Sequence, residues 1–139
     1  VVLSRRLLLV ALVLVLAGCS TNEYGPWYTP AGNLVSNNII VEFRGFKECN
    51  TDKVVFIRFL GRQYAYDPEG QLGTLTADDG TALTYAELDS PPGGIDPTGV
   101  RHQDEEIWQG DADVENYLYI VHDGGLTERW PRAEIPCQR

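Results

Sequence analysis

The chain has 139 residues, 43% of them hydrophobic, enough for one domain with a real core and too few for two large ones. Eleven basic residues stand against 20 acidic ones, a formal net charge of −9. Arg5 and Arg6 fall in a leader-like segment, and without them the rest carries about −11, a field that repels a phosphate backbone and excludes nucleic acid as a partner.

Residues 1–19 read VVLSRRLLLVALVLVLAGC: two arginines, an apolar run from Leu7 to Leu16, then small residues and Cys19. That is the charged, apolar, small-residue order of an export signal. Ten apolar residues at ~1.5 Å each reach only half way across a hydrocarbon core of ~30 Å, so the run is too short for a mature span. The closing Leu16-Ala17-Gly18-Cys19 resembles the lipobox of bacterial lipoproteins. The resemblance implies a signal peptide, residues 1–18, removed on the amino side of Cys19. It also implies diacylglycerol on the Cys19 thiol, palmitate-type acylation, and a domain held at the extracytoplasmic face of the cell membrane. Two acyl chains at ~0.8 kcal/mol per buried methylene make a durable anchor. Ser4-Arg5-Arg6-Leu7-Leu8-Leu9 also resembles a twin-arginine motif, so general secretory and twin-arginine export both stay open.

From Ser20 to Asn38 the composition turns to Ser, Thr, Asn, Gly and Pro. Residues 19–38 are predicted to be the lipidated end and a flexible tether with a reach of ~23 Å, and residues 39–139 a single domain. Trp27, Tyr28, Leu34 and Val35 are unusual in a spacer; docking on the domain and seating at the membrane interface are both open. The other cysteines, Cys49 and Cys137, form an even pair in an oxidising compartment and predict one disulfide closing nearly ninety residues, ~4.6 kcal/mol by chain entropy. A reactive thiol or a metal pair is the alternative.

The apolar period along the domain is two. Ile39 to Arg44, Val54 to Phe59, Arg62 to Tyr66, Leu72 to Thr76 and Thr81 to Leu88 read as strands, with turns at Asp67-Pro68-Glu69-Gly70 and Asp78-Asp79-Gly80. Ser90 to Gly99 is too rich in Pro and Gly for a central strand and reads as a long surface loop. Asn116 to His122, Asp123-Gly124-Gly125 and Leu126 to Trp130 form the clearest hairpin. An all-β fold is predicted, a small barrel or sandwich of six or seven mostly antiparallel strands.

Several phrases are similar to segments of small actinobacterial exported proteins of unknown function: Phe59 to Gly70 (FLGRQYAYDPEG), Asp96 to Arg101 (DPTGVR), Glu106-Ile107-Trp108 and Glu128 to Arg132 (ERWPR). The similarity spans roughly residues 48–137 and implies an exported location, a shared fold and a late cysteine at Cys137. It carries no catalytic residue. Those proteins commonly show Tyr-Val-Arg-Asp-Pro where this chain has Tyr64-Ala65-Tyr66-Asp67-Pro68, and Tyr66 in place of arginine would weaken any role that arginine had.

Serine hydrolysis is poorly supported, since Ser20, Ser36 and Ser90 stand in no nucleophile motif, and His102 and His122 read as solvated turn residues. Asp111, Asp113 and Glu115 begin like a calcium loop, but Asn116 and His122 occupy the places that need Gly and a bidentate acid, so no metal is expected. Carboxylate pairs among Asp104, Glu105, Glu106, Asp67 and Glu69 would suit glycoside hydrolysis if they faced across a cleft. Tyr64, Tyr66, Tyr117 and Tyr119 form a candidate binding platform if exposed, or a second core if covered. The expected function is binding or envelope support without a cofactor, the partner an envelope protein or polysaccharide. The alternatives are a small cell-wall-polymer hydrolase using paired carboxylates and a ligand sensor.

Overall fold

Alternating sequences need partners on both edges, and the computed structural model, which describes residues 25–110 and 115–134, supplies them in three antiparallel sheets. Strands β1 (Ile40–Arg44), β2 (Val55–Phe59) and β3 (Arg62–Tyr66) form a meander in the order β1-β2-β3. Between β2 and β3, Leu60 and Gly61 both take left-handed φ, 52° and 80°, the twist a two-residue hairpin turn requires. A two-stranded ribbon follows, β4 (Leu75–Thr76) and β5 (Ala82–Leu83), closed by the turn at Asp78-Asp79-Gly80. Strands β6 (Ala86–Leu88), β7 (Asp96–His102), β8 (Glu105–Gln109), β9 (Tyr117–His122) and β10 (Thr127–Pro131) form the second large sheet in the order β6-β10-β9-β8-β7.

The fold is therefore all-β, as expected, but with ten strands in three sheets and no closed barrel among the described residues. The excess over six or seven strands has three sources, the first being β8 (Glu105–Gln109), which no predicted strand covered. Thr81 to Leu88, read as one strand, breaks at Thr84-Tyr85 into β5 and β6, which join different sheets. The loop predicted over Ser90 to Gly99 gives up its second half to β7, whose ladder with β8 shifts register between Pro97 and Arg101. The shift lets the strand accommodate proline, and Gly99 takes φ 81° within it.

The main core lies between the two large sheets. Ile40, Ile57, Phe59 and Tyr64 from the first meet Ile107, Leu118, Ile120 and Trp130 from the second. On the far side of the first sheet, Val54, Phe56, Ala65 and Ala133 make a smaller cluster. A bridge between Tyr64 and Arg132 stitches the sheets together.

The predicted tether needs correction: from Gly25 onward it belongs to the domain. Trp27 is 1% exposed in the main core, its indole N–H donating to Glu42 at 3.0 Å. Tyr28 pairs with Arg101 of β7 and with Leu34, extending the second sheet at its edge. Composition pointed to a spacer because the segment is rich in turn formers. Its buried Trp27 and Val35 supply enough apolar surface to hold it down. No helix among the described residues is long and apolar enough to cross a membrane. Cys19 and Cys137 lie outside the described residues.

Trp27→Ala is expected to lower unfolding free energy by about 3–5 kcal/mol in urea titrations. A freely swinging tether would leave stability within about 0.5 kcal/mol of the parent.

Candidate functional site

The inner face of the second sheet is apolar in its middle and acidic at one end. The tight turn after His102 sets Glu105 opposite His122 in the β8–β9 register, while Glu128 on β10 lies opposite Ile120. Strand alternation then aims Glu105, His122 and Glu128 at the first sheet, on the face that carries Ile107, Leu118 and Trp130. Glu42 of β1, Val55 of β2 and Tyr66 of β3 approach from the other side. Together with Glu105, Glu128 and Trp130 they line a cleft of about 160 Å³.

Each acid in the cleft is handled differently. Glu42 is buried and accepts the Trp27 indole N–H. Glu128 accepts the Trp130 indole N–H at 3.0 Å and makes a short hydrogen bond with His122 Nε2. On its other side, His122 Nδ1 faces Asp104 at 3.4 Å. Burial pulls the imidazole's pKa down, but the hydrogen bonds to Glu128 and Asp104, with the charges of Glu128 and Glu105, outweigh it and raise the pKa. Burial also pushes the Glu105 carboxyl up, helped by the charges of Glu128 and Asp104 and opposed by His122 and His102. Tyr85 packs edge-on to Tyr66 at 5.0 Å and donates to Glu87; burial, then the charge of Glu128, holds its hydroxyl far above the usual phenol range. Tyr66 in turn packs against Trp130 at 5.6 Å.

Asp104, Glu105 and His122 have atoms within 4.8 Å of one another, close enough to share a cation. The chemistry favours a proton over a metal ion there. Both imidazole nitrogens already face carboxylates, and a metal would have to displace a proton that those carboxylates stabilise.

The candidate tyrosines do not form a platform. Tyr64 is 0% exposed in the main core, where it receives a hydrogen bond from Gln109, and burial raises its pKa. Tyr66 is half-buried in the cleft wall. Tyr119 is 4% exposed on the opposite face of the second sheet. Tyr117, half-buried there, lies under the Arg129 guanidinium at 4.4 Å and accepts from the Thr84 amide. The four belong to two faces, and neither pair is an open surface. Alternation separates the faces of β9 correctly, but as an internal strand β9 is buried on both, from Leu118 to Val121.

Of the acids considered for pairing, Glu105 reaches the cleft and Asp104 its rim. Asp67 instead caps the Gln71 and Leu72 amides, Glu69 pairs with Lys53, and Glu106 pairs with Arg101. Asp111 and Asp113 lie outside the described residues, while Glu115 pairs with Arg62 at 3.7 Å. His122, expected to be solvated, is held among carboxylates, and His102 lies against Trp27 with 5.4 Å between ring centroids. Glu42 and Glu128 were missed because strand pattern alone does not say which sheets face each other. No protein-family model, curated protein or solved structure matches the chain.

The raised pKa values of Glu105 and His122 act in one direction. A raised folded-state pKa contributes stability that is complete below the unfolded value and fades as pH climbs through the folded one. Thermal unfolding is therefore expected to show stability falling from the ordinary carboxyl range up through the raised imidazole pKa. His122→Gln should flatten the part of that fall above the ordinary histidine value of 6.5. An unchanged pH profile in that variant would remove His122 from the cleft's electrostatics.

Proposed function

We propose that the protein is a lipid-anchored extracytoplasmic binding domain, and that its ligand presents a positively charged, amine-sized group to the cleft between the sheets. The observation that carries the reading is the convergence of Glu42, Glu105 and Glu128 on one cleft walled by Tyr66 and Trp130. Three carboxylates against one imidazole favour a cationic occupant, and two aromatic rings add cation–π attraction. The small volume suits a side-chain amine on an envelope protein better than a polymer chain. The address rests on the leader and the lipobox-like Leu16-Ala17-Gly18-Cys19, and the kinship with actinobacterial exported proteins stays part of this reading.

The sandwich packing of the two large sheets would be clamped by a Cys49–Cys137 bridge. Cys49 ends a short 3-10 turn that leads towards Val54, and Val54 packs with Ala133, just upstream of Cys137. Non-reducing peptide mapping is expected to recover Cys49 joined to Cys137, and two free thiols would remove the staple.

One observation favours a second reading. Glu105, whose carboxyl burial pushes up, lines the cleft together with Glu128, and glycoside hydrolysis works with two acids facing one cleft. A single substitution separates the readings. Tetralysine binding to the mature protein, measured calorimetrically at ~0.15 M salt to screen exposed charges, is expected to weaken about tenfold in Glu105→Gln. Glu48→Gln, an equal charge change outside the cleft, should leave it near the parent value. Equal weakening in both variants would mean that only overall charge is being read. Reducing ends released from purified cell-wall glycan, and lost in Glu105→Gln, would instead establish the hydrolase.

A further inference from the structure

In a chain with 20 acidic residues, Tyr24 to Val41 contains no charged side chain at all. That stretch carries three of the six large hydrophobic residues exposed among the described residues: Tyr28, Leu34 and Ile39, with Leu34 at 63%. A fourth, Leu60 at 57%, joins them through the hydrogen bond from its amide to the Ile39 carbonyl. Ser36 accepts from the amides of Ile39 and Ile40, and Tyr28 pairs with Leu34, so the backbone strings all four along one margin of the domain. Leu60 is the odd residue of its turn. Its φ of 52° is a conformation that Asn or Gly adopts cheaply and that leucine rarely takes. A branched apolar side chain is thus presented to the outside at a position where its backbone preference argues against it. Basic residues, Arg58 and Arg62, flank Leu60 in sequence.

We infer that this uncharged apolar margin, Tyr28, Leu34, Ile39 and Leu60, is a membrane-seating surface that rests in the headgroup region of the bilayer. The inference depends on the anchoring of Cys19 proposed above. It also follows from the length of the leash. Six residue steps separate Cys19 from Gly25, at most ~22 Å when fully extended. A domain of about a hundred residues has a diameter of ~34 Å. A leash shorter than the domain keeps the side that carries Gly25 turned towards the lipid, and the margin that begins at Gly25 is the part it holds nearest. The net charge of the chain opposes contact with anionic headgroups, and in this segment no acid adds to that opposition.

The test uses acylated mature protein reconstituted in vesicles of brominated phosphatidylcholine and phosphatidylglycerol. Leu34→Trp places a reporter on the margin, and Leu126→Trp places one on the exposed β9–β10 hairpin, with β7 and β8 between them. Bromine quenching of the added emission is expected to be about threefold stronger for Leu34→Trp, the contrast between a side chain ~5–10 Å deep and one in water. A Leu60→Trp variant should report the same from the neighbouring turn. Equal quenching at the margin and on the hairpin, with acylation intact, overturns the seating and leaves the margin to a protein partner. The mass of the N-terminal peptide reports separately on the address: a peptide without diacylglycerol overturns the anchor and the seating together.

Discussion

The hydrogen bond from the Trp27 indole to Glu42 is the contact on which the rest of the arrangement depends. A buried carboxylate costs several kcal/mol unless a donor compensates it, and here the donor comes from a segment that composition alone would leave loose. The bond and the burial of the ring do two things together. They draw Gly25 to Val35 onto the edge of the second sheet. They also satisfy one acid of the inter-sheet cleft from within the protein, leaving Glu105 and Glu128 to the histidine and to whatever enters.

His122 performs the matching task on the other side. A histidine between Asp104 and Glu128, opposite Glu105, is an internal counterion whose strength depends on pH. While protonated, it offsets part of the charge that three acids bring into a half-apolar space. Once it loses its proton, the cleft becomes more negative, which would favour the cationic ligand proposed above. Stability and that ligand's affinity would then move in opposite directions across the same titration, as expected when a site retains charge that folding alone would remove.

Much of this was legible in the chain. The period-two pattern placed β1, β2, β3, β9 and β10 within a residue or so of where they lie, and the Asp123-Gly124-Gly125 turn fixed the best hairpin. Those signals are local: alternation, glycine at positive φ, proline in turns. Signals that failed depend on long-range packing. Whether Ile39 or Ile40 faces inward, whether β9 is covered once or twice, and whether Trp27 docks are decided by the opposing sheet. The candidate site shows the same division. Glu105 was one acid among several until β1 and β3 set Glu42 and Tyr66 across from it, and no spacing along the chain encodes that meeting.

The same division changes what the acidity means. Averaged over the chain, a net charge of −9 is a solubility device. Distributed over the fold, it is uneven in two places. Carboxylates gather in the inter-sheet cleft and at its rim, where burial raises the energetic cost of keeping them, and they are missing from the eighteen-residue stretch beginning at Tyr24, where exposed apolar side chains gather instead. Solubility alone needs neither feature: it is served by charges spread over exposed positions, such as Glu48, Glu69 and Asp78. Trp27 and Tyr28 are adjacent residues of one extended segment, and successive side chains there point to opposite sides. One reaches Glu42 and the other faces outward beside Leu34. The neutral margin and the acidic cleft are thus two sides of the same short length of backbone, and a protein held to a surface by that backbone would bring both to its work.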